Sequence, residues 1–361
     1  MPDKQPSFTV TFKELAISAI KRQARGEVIL VLDSETDQTS YQGLNEVSTD
    51  DFTPENYLTL ELCFMGNPKK VTVLKKEEEI LNLTNKLDKY NNYILIYPDA
   101  IESEAAAIKN YINSKREKNN YSIAIFANME GMDSNYIINF KSDDIKISNN
   151  NETKTITASQ YTARIAGVLA GLNNSRSLTY FELNEIVDAN VSIDADEAVK
   201  EGNLVVIYQD GSFKFGRGVN SLVTLTDGVT EAFQKIRVVN IMDMIAGDIV
   251  STFRQSYVGK YINSYANKKR FIGAVNTYLK SLANEGLLDE ANDNEVYLSY
   301  EKIKAYIEAK GVNTENMSYQ DIVQYNTGSY VMLDGVCSPT DCMEDLNLGF
   351  YLFQGLESEE I

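Results

Sequence analysis

Histidine is absent from all 361 residues. This removes Ser-His-Asp and Cys-His nucleophilic sites and every metal site built on imidazole. Cysteine is scarce. Cys63, Cys337 and Cys342 are the only three, too few for a four-thiolate zinc site, and the four-residue gap between Cys337 and Cys342 is not the two-residue spacing of redox or zinc pairs. They read as reduced, structural thiols. Basic residues are also in deficit, 34 Lys and Arg against 52 Asp and Glu, for a net charge of -18. Such a chain repels phosphate backbones, so nucleic acid is not an expected partner. No apolar run approaches the roughly 20 residues of a membrane span, and the opening MPDKQPSFTV has neither the apolar core of a signal peptide nor an Arg-rich transit helix. No cofactor, metal or membrane anchor is expected.

Other candidate chemistry is weak. The run Gly211-Ser-Phe-Lys-Phe-Gly216-Arg-Gly218 lacks the Lys-Ser/Thr ending of a phosphate loop and reads as a turn between strands. The pairs Asp143-Asp144 and Asp194-x-Asp196 could hold a hard cation. In a chain this acidic, they read as solvated loops.

What is present is ordinary globular composition, 43% hydrophobic and 24% charged, at a length that suggests two or three domains. Strands are expected at Glu27 to Leu32, Tyr57 to Met65 and Lys70 to Leu74, with a charged helix from Glu77. Apolar runs at Tyr93 to Tyr97 and Ser122 to Phe126 flank a helical stretch that reaches Lys118, a βαβ pattern. A helix from Ala158 to Leu172 and strands at Leu178 to Leu183 and Leu204 to Tyr208 complete an α/β unit. Beyond Asp227, Phe233, Ile236, Val239, Met242, Ala246, Ile249 and Phe253 recur at helical spacing. Further helices are expected at Lys268 to Gly286 and Glu301 to Lys310. Both ends alternate with strand period: Phe8, Val10 and Phe12 on one face at the start, and Leu346, Leu348, Phe350 and Leu352 at the finish.

Several segments carry a family likeness. Ala158-Ser-Gln-Tyr-Thr-Ala-Arg-Ile-Ala-Gly-Val-Leu-Ala-Gly171 followed by Leu178-Thr-Tyr-Phe-Glu-Leu-Asn-Glu-Ile186 resembles the central segment of contractile tail sheath proteins. Gly216-Arg-Gly-Val-Asn-Ser-Leu-Val-Thr-Leu225 resembles that family's arginine-glycine turn, with Ser221 in place of the usual Thr. Lys235-Ile-Arg-Val-Val-Asn-Ile-Met-Asp-Met-Ile-Ala-Gly-Asp248 resembles its long helix, and Asp334-Gly-Val-Cys-Ser-Pro-Thr-Asp-Cys-Met-Glu-Asp-Leu346 its C-terminal signature. The order and spacing match from about Gly26 to the end. The resemblance implies an α/β (α+β) fold: a linking arm at 1–25, a small α+β domain at 26–90, a central α/β domain of subtilase-like topology without catalytic residues at 91–228, a helical and β domain at 229–345, and a strand arm at 346–361. It also implies six-subunit rings stacked helically on a tail tube and joined by exchanged arms. Tube, baseplate and tail terminator proteins would be partners, in a phage tail or tail-like particle built in the bacterial cytoplasm and released by lysis. Large outward-facing insertion domains are not expected in a chain this short.

On this reading the terminal strands are donated to a neighbour's sheet edge. The alternative is that they close a sheet within their own subunit. Residues 235 to 280 hold eight basic and two acidic side chains, +6 in an acidic chain. Lys260, Lys268, Lys269, Arg270 and Lys280 are therefore candidates to face an acidic tube, against the alternative of ordinary solvated helix faces. Two other functions are weighed: an enzyme or ligand-binding domain on the α/β unit, which would need a pocket of convergent polar groups, and an inner tube protein, which the long helices disfavour.

Overall fold

The computed structural model describes residues 19–21, 26–149 and 152–350. Its elements, in chain order, are β1 (Glu27–Leu32), β2 (Thr39–Tyr41), α1 (Pro54–Phe64), β3 (Lys70–Lys75), α2 (Ile80–Leu87), β4 (Ile94–Ile96), α3 (Glu102–Arg116), β5 (Ile123–Ala127), β6 (Ile137–Phe140), β7 (Ile145–Asn149), β8 (Glu152–Ile156) and α4 (Ala158–Gly171). They continue with β9 (Ile186–Asp188), α5 (Ala195–Lys200), β10 (Asn203–Leu204), β11 (Val206–Gln209), β12 (Ser212–Phe215), α6 (Ile236–Thr252), α7 (Tyr265–Asn284), β13 (Glu295–Leu298), α8 (Tyr300–Ala309), α9 (Tyr319–Val323) and β14 (Leu333–Val336).

Seven strands form one sheet in the order β10-β6-β5-β4-β1-β3-β2, parallel except where β2 meets β3. Central strands of such a sheet must be apolar on both faces, and β1 shows how. Val28, Leu30 and Leu32 join Leu58, Leu60 and Leu62 of α1 and Ile165 of α4 on one side. Ile29 and Val31 meet Leu83 and Leu87 of α2 and Ile108 and Ile112 of α3 on the other. Strands from either side of residue 90 hydrogen-bond in this sheet, so the boundary expected there is not a break in the core.

Two expectations fail. Tyr57 to Met65 is helix, not strand: Thr53 caps it by accepting from Asn56 N at 3.2 Å, and Pro54 occupies its first turn. Leu60, Leu62 and Cys63 of α1 pack on α4, where a Cβ on Gly167 would overlap the Cys63 carbonyl. Leu178 to Leu183 is likewise no strand. Its backbone reaches β12 through Tyr180 N to Phe215 O (3.0 Å) and Leu183 N to Phe213 O (2.9 Å), but Tyr180 stands at φ 57° and breaks the ladder.

The remaining elements are smaller. β8-β7-β9 form a three-stranded sheet, and β11 and β12 a hairpin turning at Asp210-Gly211, both at positive φ. Helix α6, continued by a π turn at Phe253–Tyr257, packs on α7 through Ile241, Met244, Ile245, Phe271, Val275 and Leu279. The hairpin of β13 and β14 and helices α8 and α9 share a further core around Ile303, Ile307 and Ile322. A bidentate ion pair ties the long helix to the sheet layer: Arg116 at the end of α3 donates to both Asp243 oxygens at 2.8 and 2.6 Å.

Candidate assembly site: the C-terminal strap and the basic helix

Beyond β14 the chain crosses the surface as a strap. Asp289 N donates to Ser338 O (2.8 Å), Thr340 N to Leu287 O (3.1 Å) and Thr340 Oγ1 to Gly286 O (2.7 Å), which fixes its first half to the loop after α7. Arg237, buried at the start of α6, then bridges: its Nε donates to Asn174 O at 2.9 Å and its Nη1 to Thr340 O. The second half ends on Glu344. That side chain is 6% exposed, with Lys235 Nζ at 2.6 Å, Thr179 Oγ1 at 2.6 Å and Ser177 Oγ at 3.2 Å from its oxygens. Arg217 Nη1 is 3.6 Å from Glu344, and its Nη2 pairs with Asp345.

The charges explain one another. Lys235 and Arg237 sit at the N-terminus of α6, where the helix dipole disfavours cations. Asp341, 3.4 Å from Lys235, and Glu344 supply the negative charge that end prefers. Burial pushes the Glu344 carboxyl up, but the Lys235 ammonium and the Thr179 and Ser177 hydroxyls outweigh it and hold the group below its ordinary range. Arg217 holds Asp345 low as well. The arginine-glycine turn, the start of the long helix and the C-terminal signature thus meet at one carboxylate.

Past Asp345 the support ends. Leu346, Leu348 and Phe350 are 88%, 63% and 84% exposed and belong to no strand among the described residues. Phe8, Val10, Phe12 and Leu352 lie outside the described residues. A run of apolar side chains held in water after a firmly anchored base is an unpartnered surface.

The basic candidates divide. Lys269, Arg270 and Lys280 are exposed along one face of α7 beside Ala266, Gly273 and Thr277, and Lys260 is exposed ahead of it. Lys268 does not share that face: it is 4% exposed and donates to Thr327 Oγ1 at 2.8 Å, because its place in the helix turns inward between Phe271 and Tyr265. Of the other charges of the window, Lys235 and Arg237 serve the strap, Asp243 pairs with Arg116, Asp248 accepts from Tyr278 OH at 2.7 Å, and exposed Arg254 donates to Lys118 O at 3.2 Å. Of the acidic pairs, Asp194 is a helix cap, accepting from Asp196 N and Glu197 N at 3.1 Å. Among the described residues no three His, Cys, Asp or Glu side chains gather as a metal site, and no helix is long and apolar enough to cross a membrane.

The tail sheath protein of Clostridium phage phiCD119 is 32% identical to this chain over 361 residues, covering 95% of this chain and 98% of the relative. The chain belongs to the contractile tail sheath family. The family of the phage tail sheath C-terminal domain matches residues 229–315, which takes in α6, α7 and α8. The fold of the sheath agrees with solved structures. The sheath tail protein of Desulfitobacterium hafniense superposes with a TM-score of 0.68 at 12% identity, over 81% of this chain and 93% of that one. The helical sheath of the anti-feeding prophage in its contracted state gives 0.67 at 15% identity, over 96% and 99%. This sheath subunit is therefore a structural protein of mixed α/β fold; of the segments that resembled sheaths in sequence, those from Leu178, Gly216, Lys235 and Asp334 meet at the strap, while Ala158–Gly171 is α4, packed in the sheet layer.

Proposed function

We propose that this sheath subunit polymerises as hexameric rings stacked helically around a tail tube, and that contraction of the stack drives the tube through a target envelope. The subunit performs no turnover. Its partners are copies of itself, the tube, and the baseplate and tail terminator that close the two ends of the stack, in a tail assembled in the bacterial cytoplasm and released by lysis. Residues 91–228 form a central α/β domain of subtilase-like topology, a reading supported by its parallel β6-β5-β4 strands, and residues 26–90 a small α+β domain whose β1 and β3 extend the same sheet. Residues 229–345 form the inner domain, and 1–25 and 346–361 are linking arms.

The observation that carries this is the strap. Four groups fix Glu344, and the next apolar side chains stand in solvent. An arm so held offers a strand to a neighbour's open edge, with main-chain bonds giving affinity and alternate apolar residues giving register. A heterologous contact of this kind repeats without closing and builds helical assemblies. Removing the segment from Leu346 to Leu352 should leave a folded, dispersed subunit, and Leu348→Asp should weaken polymerisation in the same direction. Full-length sleeves from the truncated protein, seen by electron microscopy, would show the arms to be dispensable.

A further inference from the structure

A cavity of about 510 Å³ opens between α1 and β7, where the three-stranded sheet shares the apolar core of the main layer. Leu58, Leu62 and Phe64 wall it on the α1 side and Ile147 on the β7 side. Two charged residues line it, Glu61 and Glu185. Consecutive residues of β7 hold both: Ser148 N donates to Glu185 O at 2.7 Å, and Asn149 Nδ2 donates to Glu61 Oε2 at 2.9 Å. Glu185 is 7% exposed, and its Oε1 accepts from both Arg164 Nε and Tyr161 OH at 2.7 Å. Its Oε2, and Oε1 of Glu61, accept nothing among the described residues. A carboxylate oxygen drawn out of water needs a donor, and a charged donor serves it best. Two carboxylates and the Arg164 guanidinium leave one negative charge in the wall, which a single positive charge completes. The rest of the wall suits a hydrocarbon body. A bare metal ion would be poorly served, because so apolar a wall cannot supply six or more oxygens.

We propose that the cavity between α1 and β7 binds a small organic cation, a primary ammonium on an aliphatic chain. An ammonium brings three N–H donors, which answer Glu185 Oε2 and Glu61 Oε1, while its chain lies along Leu58, Leu62 and Ile147. The cavity's volume falls in the range of about 300 to 1,000 Å³ usual for small-molecule sites, which favours a free amine as the occupant. Strap and arms take no part in the site, so the dispersed subunit binds the ligand as it stands.

Calorimetric titration of the full chain with hexylammonium tests this, against hexan-1-ol and hexanoate of the same chain length. Hexylammonium should bind once per chain and at least tenfold more tightly than either, a comparison that needs no variant. Glu61→Gln preserves shape and should weaken hexylammonium at least tenfold while leaving hexan-1-ol unchanged. Met65→Trp, at an exposed position in the cavity lining, should block the site. Equal binding of hexan-1-ol would overturn the carboxylates as the recognition element. Hexylammonium binding that persists in both variants would assign the amine to the acidic surface at large, and no binding to the parent chain would overturn the site. Tighter binding of a capped Leu-Lys-Leu peptide would overturn the free amine and give the cavity to a lysine of another protein.

Discussion

Two residues carry more of the architecture than their size suggests. Gly167 lets α4 lie against α1 with backbone touching backbone at Cys63, so Gly167→Ala must push two packed helices apart. Overpacking of this kind costs about 1 to 3 kcal/mol. The midpoint of denaturant unfolding should fall accordingly, and an unchanged midpoint would mean that the helices yield freely. Glu344 is the other. Its carboxyl is held below the ordinary value of 4.5, so the unfolded chain binds the proton first as pH falls. The strap's contribution is complete above the ordinary value and is lost as pH drops through the lower folded value. Protease nicking of residues 337–345 should therefore be slow at neutral pH and rise in acid, and Glu344→Gln should nick readily at both. At this scale the sequence was only half legible. Arg217, Lys235 and Glu344 all fell within the sheath-like segments, but the separations of 128 residues between Arg217 and Asp345 and 109 between Lys235 and Glu344 hid their meeting. Opposite charges within those segments were the available signal.

Elements whose pattern agreed with their caps were legible. The apolar runs of β1, β3 and β5 and the spacing of α4, α6 and α7 gave their positions to within a few residues, because burial on a fixed face dictates a fixed period. Tyr57 to Met65 misled because Leu58, Leu60 and Leu62 alternate like a strand, while the decisive Thr53-Pro54 start lay just outside the run. Leu178 to Leu183 misled because no local pattern announces that Tyr180 takes a left-handed conformation. Lys268 shows a third limit: a count of charges cannot tell which side of a helix each occupies. With Lys268 inward, the exposed set on and near α7 is Lys260, Lys269, Arg270 and Lys280. Exposed contacts of this type contribute about 0.2 to 1 kcal/mol each and are screened by salt. Reversing Lys269, Arg270 and Lys280 to Glu should spare the fold and tube-free sleeves while preventing an extended sheath on a tube. Normal extended tails with unchanged salt sensitivity would remove α7 as the tube contact.

At the scale of the whole molecule, an α/β unit built on the seven-stranded sheet is joined to a helical unit by α6, the Arg116–Asp243 pair and the strap. Each half keeps its own apolar core. The proposed rearrangement of a stack is therefore expected at the contacts between subunits rather than by remaking these cores. Apolar arms joining such bodies would let a polymer change spacing without coming apart. The most direct test is electron microscopy of the purified full-length protein at assembly concentration. The account predicts striated hollow sleeves with a helical repeat of hexameric rings, each ring linked to the next by density continuous with residue 345. Dispersed monomers, or smooth narrow tubes without rings, would contradict it.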